Sequence, residues 1–548
     1  MLRKGLLTGV SVVCMSVLMV AAPGDVRLAD AAMQGDMDRV RSLLEQTVDV
    51  NAAQGDGMTA LHWAVYKDDL EMARLLIQAG ADFKAGTRVG AITPLSFAAK
   101  NGNGAIIELL LNAGADTDLV TGLGTTPLMQ AAASGSVEAV TSLLDHGAVV
   151  NAKESARQQT AVMFAAALDR APVVSLLASR GADLDVTSKI VAIKENFIDE
   201  DGNPVPAPSR TGETRPRPRN SGKILGTGGM SALHYAARQG HMASVRALVE
   251  AGANVNRVNA VDKTSPMLLA INVGRYEIAK YLLDHGADPN IASADGLAPL
   301  YALVHSKWAP VAWTPTLATS ASGIAQEKIN HLELMKALLD SGADPNARIL
   351  ASVWFNPPHH KEEWEEVSGT TTFWRAAQAT DFGAMKLLVA YGADPKIPSY
   401  DNLTPLAVAA GIGWAGENSV NAPDDLLEVA KYMVEQLGLD VNVASDEAGF
   451  TALMGAAWKG DNELVQYLVD KGARVDVRTK LGWAVTDMAN GPSLVSSVPR
   501  KHPRTIALLE KLGAPEPIQV VDEEILGIIK GRRFDPVTGQ FVKGPKEN

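Results

Sequence analysis

The sequence predicts an all-α repeat solenoid, in which about twelve short helix-turn-helix repeats with β-turn fingers stack side by side. Three observations support this prediction. One sequence unit recurs at near-constant spacing, and each copy carries the start and stop signals of two short helices. The composition, 47% hydrophobic and 20% charged over 548 residues, is that of a folded protein.

The recurring unit opens on a motif close to T-P-L-H-x-A and closes on G-A-D. Its first clear copy spans residues 59–82, and others begin at positions 93, 126 and 160 and further downstream. Successive closing glycines are separated by 34, 33, 34, 71, 34, 56, 50, 46, 34 and 41 residues. These glycines are Gly80, Gly114, Gly147, Gly181, Gly252, Gly286, Gly342, Gly392, Gly438, Gly472 and Gly513.

A period near 33 residues that opens on this motif resembles the ankyrin repeat family. The resemblance spans about residues 25–515. It implies pairs of helices joined by β-turn fingers, and a binding function. The unit that starts near Asp25 lacks the opening motif, so we expect it to be the N-terminal cap. The unit at 480–509 also departs from the pattern, and we expect it to be the C-terminal cap.

Each part of the motif has a physical role in a helix pair. Thr126 is placed to accept a hydrogen bond from an unpaired N–H of the first turn, and Pro127 suits the first helical position. The small pair Ala98-Ala99 lets two helices approach closely. The closing glycine permits the left-handed conformation that ends the second helix. Because no unit buries its apolar face alone, stability is expected from stacking.

The first 24 residues have the features of an export signal. Basic Arg3 and Lys4 precede an apolar run at 6–20, and small residues follow. We expect cleavage after Gly24 or after Ala21, and an uncleaved membrane anchor is the alternative. Because the remainder resembles bacterial exported ankyrin proteins, we expect the protein in the periplasm or secreted.

Charge and cysteine usage exclude several classes of function. The formal net charge of −12 repels phosphate backbones, so nucleic acid is not an expected partner. The one cysteine, Cys14, lies inside the leader, so the mature chain has no disulfide and no thiol nucleophile. We expect no catalytic group, cofactor or metal, no membrane span after signal cleavage, and a monomer.

Four insertions interrupt the repeat period. The first insertion, 187–229, is rich in Pro, Gly and Arg and divides the repeats of 25–186 from those of 230–515. Such a composition does not form a packed repeat, so it predicts a loop on the finger side. It is either a basic tether or a solvated linker. The C-terminal tail, 516–548, leaves the repeat, and a turn signal predicts a small hairpin from Arg533 to Val542.

Three further insertions, 306–326, 352–368 and 411–423, fall in repeats eight to ten and are rich in tryptophan. Either these rings hold ordered loops on the array, or they form a protein-binding surface, since tryptophan is frequent at binding hot spots. Trp374 takes the usual histidine position of its repeat. Together these positions hold six of the nine tryptophans, namely Trp308, Trp313, Trp354, Trp364, Trp374 and Trp414.

A second candidate surface follows from the resemblance. Ankyrin repeats typically bind through a concave face made by their fingers and first helices. Several positions of the first helices carry large aromatic or cationic residues where alanine would serve folding equally well. They are Trp63, Tyr66, Lys67, Phe97, Lys100, Tyr235, Arg238, Trp458 and Lys459.

Few residues suggest a catalytic or metal-binding site. His62 and His234 fill the fourth motif position, where we expect structural hydrogen bonds and not acid–base catalysis. His359 and His360 stand among glutamates but lack a catalytic zinc spacing. The sequence therefore predicts a non-enzymatic, protein-binding scaffold. One alternative is an enzyme, or a subunit regulating one, with a site in the insertions of repeats eight to ten. Another is capture of a small ligand under those loops.

Overall fold

The computed structural model describes residues 25–192, 197–198, 204–205, 226–308, 327–350, 368–413, 422, 424–446, 448–480, 482–491, 501–517, 532–535 and 540–543. The chain divides into two compact units, Met1–Val149 and Val150–Asn548. Each unit is built from consecutive helix pairs, so the predicted all-α repeat array is confirmed. The predicted export signal lies outside the described residues.

The first unit contains four helix pairs, and the first helix of each pair packs on the first helix of the next. The pairs are α1 (Arg27–Gln34) and α2 (Met37–Glu45), α3 (Ala60–Tyr66) and α4 (Leu70–Gln78), α5 (Pro94–Asn101) and α6 (Gly104–Asn112), and α7 (Pro127–Ser134) and α8 (Val137–Asp145).

The second unit repeats this arrangement. Its pairs are α9 (Ala161–Ala167) and α10 (Ala171–Ser179), α11 (Ala232–Gln239) and α12 (Met242–Glu250), α13 (Pro266–Asn272) and α14 (Tyr276–Asp284), α15 (Pro299–Lys307) and α16 (His331–Asp340), α17 (Thr372–Gln378) and α18 (Phe382–Ala390), α19 (Pro405–Ala410) and α20 (Leu426–Lys431), α21 (Ala452–Lys459) and α22 (Asn462–Asp470), and α23 (Val485–Ala489) and α24 (Pro503–Lys511).

The motif residues act as the sequence predicts. The hydroxyl of Thr126 accepts a hydrogen bond from the N–H of Met129, and Pro127 is the first residue of α7. The core between the helices is formed by small and aliphatic side chains such as Ala98, Leu76 and Leu143, all fully buried. Every closing glycine has a positive φ, from 66° at Gly438 to 97° at Gly114, which ends the second helix without strain.

In six repeats, an asparagine near the end of the repeat joins it to the next one. In the second unit, the amide of Asn442 donates to the carbonyl of Gly472 (2.9 Å) and accepts from the N–H of Arg474 (2.8 Å). The same two-way bridge occurs at Asn151, Asn256, Asn290 and Asn346. Asn51 has the equivalent role in the first unit. This asparagine ladder satisfies polar backbone groups that the turns leave unpaired.

Neighbouring fingers are joined by backbone hydrogen bonds at their tips. In the first unit the N–H of Arg88 donates to the carbonyl of Asp56, and that of Gly122 to the carbonyl of Gly90. In the second unit the corresponding donors and acceptors are Lys189 and Arg157, Ala294 and Asp262, Leu350 and Asp295, Tyr400 and Ser368, Asp446 and Asp401, and Lys480 and Ala448.

The inserted chain at 187–229 begins and ends in one such finger. Strand β1 (Val191–Ala192) pairs antiparallel with β4 (Gly226–Thr227), and inside this span β2 (Phe197–Ile198) pairs with β3 (Pro204–Val205). The N–H of Ser188 donates to Met230, and the N–H of Gly229 returns the bond to Ser188. The insertion therefore leaves the array at the finger of repeat five.

The helices of repeat ten and the C-terminal tail add two local features. A π-helical turn over Tyr432–Gln436 extends α20, and no signal in the sequence predicted it. In the tail, β5 (Arg532–Asp535) pairs antiparallel with β6 (Gln540–Lys543), so the predicted hairpin is confirmed. Within the described ranges no helix combines the length and the apolar character that crossing a bilayer requires.

Four second helices lack a side-chain cap, because their N-cap positions hold Arg170, His241, Arg275 and His502. Neighbouring repeats supply two of the missing acceptors. Asp169 accepts from the N–H and the hydroxyl of Ser244 on α12 (3.0 and 2.9 Å). Glu327 accepts from the N–H of Glu277 on α14 (2.8 Å). These repeats thus depend on their neighbours for capping as well as for packing.

Candidate binding surfaces

The inner face of the first unit, meaning its first helices and fingers, displays an exposed aromatic cluster on α3 and α5. The rings of Trp63 and Tyr66 meet edge to face at 5.7 Å between centroids, and Tyr66 meets Phe97 at 5.7 Å in the same way. Tyr66 is 54% exposed, while Trp63 and Phe97 are partly exposed. We call these three residues the aromatic step.

The aromatic step is held from below by polar contacts. The indole N–H of Trp63 donates to the side-chain oxygen of Gln54 (2.8 Å), whose amide donates to Asp30 (2.6 Å). His62, buried beneath Phe97, bridges Thr59 and the carbonyl of Ile92 (3.1 Å). The indole of Trp63 is therefore held in place before any partner arrives, which reduces the entropy that binding costs.

His62 and His234 have the structural role that the sequence predicts. The imidazole of His234 joins Ser231 to the carbonyl of Thr264 (3.0 Å) in the next repeat. Burial lowers the pKa of His62, and it lowers the pKa of His234 to about 4. Both rings are thus neutral hydrogen-bonding links between repeats.

Tyr235, predicted as a contact residue, is buried, and that prediction is wrong. Only 9% of it is exposed, because its hydroxyl donates to Ser188 (3.3 Å) at the base of the 187–229 insertion. Its neighbour Arg238 is exposed, and the guanidinium lies 5.5 Å from the Tyr235 ring. Arg238 alone of this pair is available to a partner.

Trp374 was also predicted to contact a partner, and the structure corrects this. The residue is 0% exposed, and its indole N–H donates to the carbonyl of Leu403 (2.8 Å) in the next repeat. The imidazole of His62 makes the equivalent bond in its own repeat, to the carbonyl of Ile92. Trp374 therefore replaces the motif histidine as a link between repeats, as its place in the motif could have indicated.

Trp308 is tied to the next repeat by a buried carboxylate. One oxygen of Asp381 accepts from the indole of Trp308 (2.8 Å) and contacts the imidazole of His331 (2.8 Å). The other oxygen accepts from the N–H of Ala384 and caps α18 (2.9 Å). Trp308 and His331 lie on either side of residues 309–326, so the described ends of that insertion are held at one point. Sequence reasoning did not identify this role of Asp381.

In repeats eight to ten of the second unit, the residues at the equivalent positions of the inner face are buried. His305 and Arg375 occupy the helix positions of Tyr66 and Trp63, yet they are only 6% and 8% exposed. The Arg375 guanidinium donates to the imidazole of His305 (3.4 Å) and to the carbonyl of Trp308 (3.3 Å). Ile412, at the position of Lys67, is also buried. These positions stabilise the array and present little surface to a partner.

Trp458 and Lys459 of repeat eleven are intermediate in exposure. Burial lowers the pKa of the Lys459 ammonium, opposed by the nearby carboxylate of Asp461. Its methylene groups pack over Gly411, where a Cβ would approach them to 2.6 Å. A cation held in this way is less available to a partner than the exposed Lys67 and Lys100 of the first unit.

The remaining predicted residues lie outside the described part of the chain. They are Trp313, Trp354, Trp364 and Trp414, together with His359 and His360. Among the residues that are described, no group of three His, Cys, Asp or Glu side chains is arranged to hold a metal ion.

The sequence of this array matches a known family over more than half of its length. A profile described as ankyrin repeats in three copies matches residues 95–188, 216–293 and 373–479. A second profile, ankyrin repeats in many copies, matches residues 28–77. The chain belongs to the ankyrin repeat family. Ankyrin repeats are in general non-enzymatic modules that bind proteins.

Individual ankyrin proteins resemble the chain over shorter stretches. Palmitoyltransferase akr1 of Schizosaccharomyces pombe is 41% identical over 56 residues, 10% of this chain and 9% of that protein. Human ankyrin repeat and SOCS box protein 6 is 29% identical over 186 residues, 32% of this chain and 39% of that one. The chain thus spans well under half of either relative.

A solved ankyrin structure shows the same kind of partial likeness. The crystal structure of the human ASB11 ankyrin repeat domain is 25% identical, with a TM-score of 0.37. The likeness covers 48% of this chain and 98% of that domain.

Proposed function

We propose that this ankyrin repeat protein is a non-enzymatic scaffold that is exported to the bacterial envelope and binds a partner protein there. Binding takes place on the inner face of the first unit, with the tryptophan-rich insertions of repeats eight to ten as additional contacts. The observation that carries the proposal is the aromatic step, because it leaves Tyr66 54% exposed beside two further aromatic rings. Exposed, ordered aromatic rings are typical of binding hot spots.

Three interior ionisable groups of the second unit have structural partners, which favours a scaffold over an enzyme. His234 links two repeats, and Asp381 caps a helix and binds Trp308. Arg375 holds the imidazole of His305 and the end of α15. An enzyme site in the insertions of repeats eight to ten gains no support from these described groups.

Loss of the aromatic step should abolish partner capture. We expect Tyr66→Ala/Phe97→Ala to recover far less of the partner than the wild type in a pull-down from envelope extract, because the central contact area is gone. Val137→Ala, which shortens an exposed side chain on α8, is the matched control and should bind normally. Trp374→Phe should lower the urea concentration at the midpoint of unfolding, but this variant should still bind the partner. Equal recovery by the aromatic double variant would contradict the proposal.

Export is tested by the N-terminus of the protein in its bacterial host. The basic and apolar pattern of residues 3–20 supports an export signal. We expect the mature protein in the periplasmic fraction or medium to start at Ala22 or Asp25, as read by N-terminal sequencing. A chain in the cytoplasmic fraction that retains Leu2 and Arg3 would contradict export. A membrane-bound chain that retains them would identify an anchor.

A further inference from the structure

We propose that the partner segment bound by the aromatic step is acidic and carries an apolar or aromatic side chain. The inference rests on the proposed function, and it adds the chemistry of the partner. It follows from two exposed lysines beside the step, Lys67 and Lys100, in a chain whose formal net charge is −12.

Two ammonium groups flank the aromatic step. Lys67 follows Tyr66 at the end of α3, and Lys100 occupies the corresponding position of Tyr66 on α5. The two helix ends are neighbours, because the amide of Asn101 donates to the carbonyl of Tyr66 (3.2 Å). Both lysines are exposed. An incoming chain that touches Tyr66 therefore comes close to two exposed cations.

Neither lysine is neutralised within the described part of the chain. No described carboxylate lies within ion-pair distance of Lys67 or Lys100, or of Arg88 on the finger that precedes α5. Two carboxylates close to Lys67 in the sequence accept hydrogen bonds from neutral groups of the array and keep their negative charge. Asp68 accepts from the amide of Asn101 (3.0 Å), and Asp56 accepts from the N–H of Met58 (2.9 Å).

The finger tips next to the step supply apolar surface. Val89 and Leu123 lie on adjacent fingers, whose tips are joined by the bond from Gly122 to Gly90, and both side chains are largely exposed. An acidic segment with an apolar side chain satisfies both features, because its carboxylates neutralise the lysines while its apolar group covers the rings or the tips. Opposite charge would also raise the association rate.

The probe for this inference is a phage-displayed library of random peptides, selected on the purified full chain. We expect the enriched peptides to carry net negative charge and at least one apolar or aromatic residue. Synthetic, fluorescein-labelled copies should bind about tenfold more weakly to Lys67→Glu/Lys100→Glu than to the wild type, and also more weakly at high salt. Arg41→Glu/Lys153→Glu makes the same change in net charge at exposed positions elsewhere, and should bind as the wild type does.

The outcomes separate this inference from the proposed function. Neutral or basic peptides that still require Tyr66 and Phe97 would overturn the acidic partner and leave the binding surface intact. Acidic peptides that bind the lysine double variant as tightly as the wild type would also overturn it. Enrichment that is unaffected by Tyr66→Ala/Phe97→Ala would overturn both, because no binding would then depend on the aromatic step.

Discussion

Acidification from pH 7 to pH 5 should destabilise the second unit strongly, because two buried histidines must remain neutral for its repeats to pack against each other. His234 and His305 lie inside repeats six and eight. Burial lowers the pKa of His234 from 6.5 to about 4. Burial, together with the positive charge of Arg375, lowers the pKa of His305 from 6.5 to about 3.

The direction of the pH effect follows from proton linkage. Both folded pKa values lie below the unfolded value of 6.5, so the unfolded chain takes up protons first as the pH falls. The contribution to stability is complete above pH 6.5 and is lost progressively down to about pH 4 for His234 and about pH 3 for His305. At pH 5 the loss is about 2 kcal/mol for each histidine.

A glutamine substitution at His234 tests this mechanism. His234→Gln should lower the free energy of unfolding at pH 7, because the bonds to Ser231 and Thr264 are altered. It should also reduce the further loss between pH 7 and pH 5, measured by urea unfolding with circular dichroism. His285→Gln, at an exposed histidine of the same unit, should leave the pH dependence unchanged. An unchanged pH dependence in His234→Gln would contradict the mechanism.

Removing the Asp381 carboxylate should cost about 3 kcal/mol, because three donors lose their acceptor at once. Asp381→Ala leaves the indole of Trp308, the imidazole of His331 and the N–H of Ala384 without this partner. Hydrogen exchange should therefore become faster at the end of α15, at the start of α16 and in the first turn of α18. Unchanged protection in all three places would show that Asp381 does not hold them.

Asp461→Ala is the matched control for Asp381, since Asp461 caps α22 through a single bond to the N–H of Leu464 (3.0 Å). Loss of one cap costs about 1 kcal/mol. The pKa of Asp381 gives a second readout. Burial raises it, but the hydrogen bonds from His331, Ala384 and Trp308 outweigh burial and hold it below 3.8. Its contribution is thus complete above about pH 4 and is lost only at lower pH.

The repeat positions and their helix starts could be predicted from sequence because they depend on local chemistry. A threonine hydroxyl, a proline ring or a glycine with positive φ acts on residues only a few positions away, as Thr126 and Pro127 show. The tail hairpin was predictable for the same reason, since its turn lies within the paired segment.

The roles of individual aromatic residues could not be predicted as well, because they depend on residues far along the chain. The hydroxyl of Tyr235 bonds to Ser188, 47 positions away, and the indole of Trp308 bonds to Asp381, 73 positions away. Trp374 is the exception. It stands at the fourth motif position, where an inward role was expected for His62, and the same reasoning would have placed its ring in the interior.

The asparagine ladder has the same geometry whatever the length of chain between its two ends. Asn442 reaches a glycine 30 positions ahead, whereas Asn346 spans 46 positions and Asn290 spans 52. Repeat register is thus independent of loop size, and doubling a flexible loop costs only about 0.6 kcal/mol in closure entropy. The length of chain between two joined repeats can consequently change, in evolution or by design, without any change to the asparagine bridge itself.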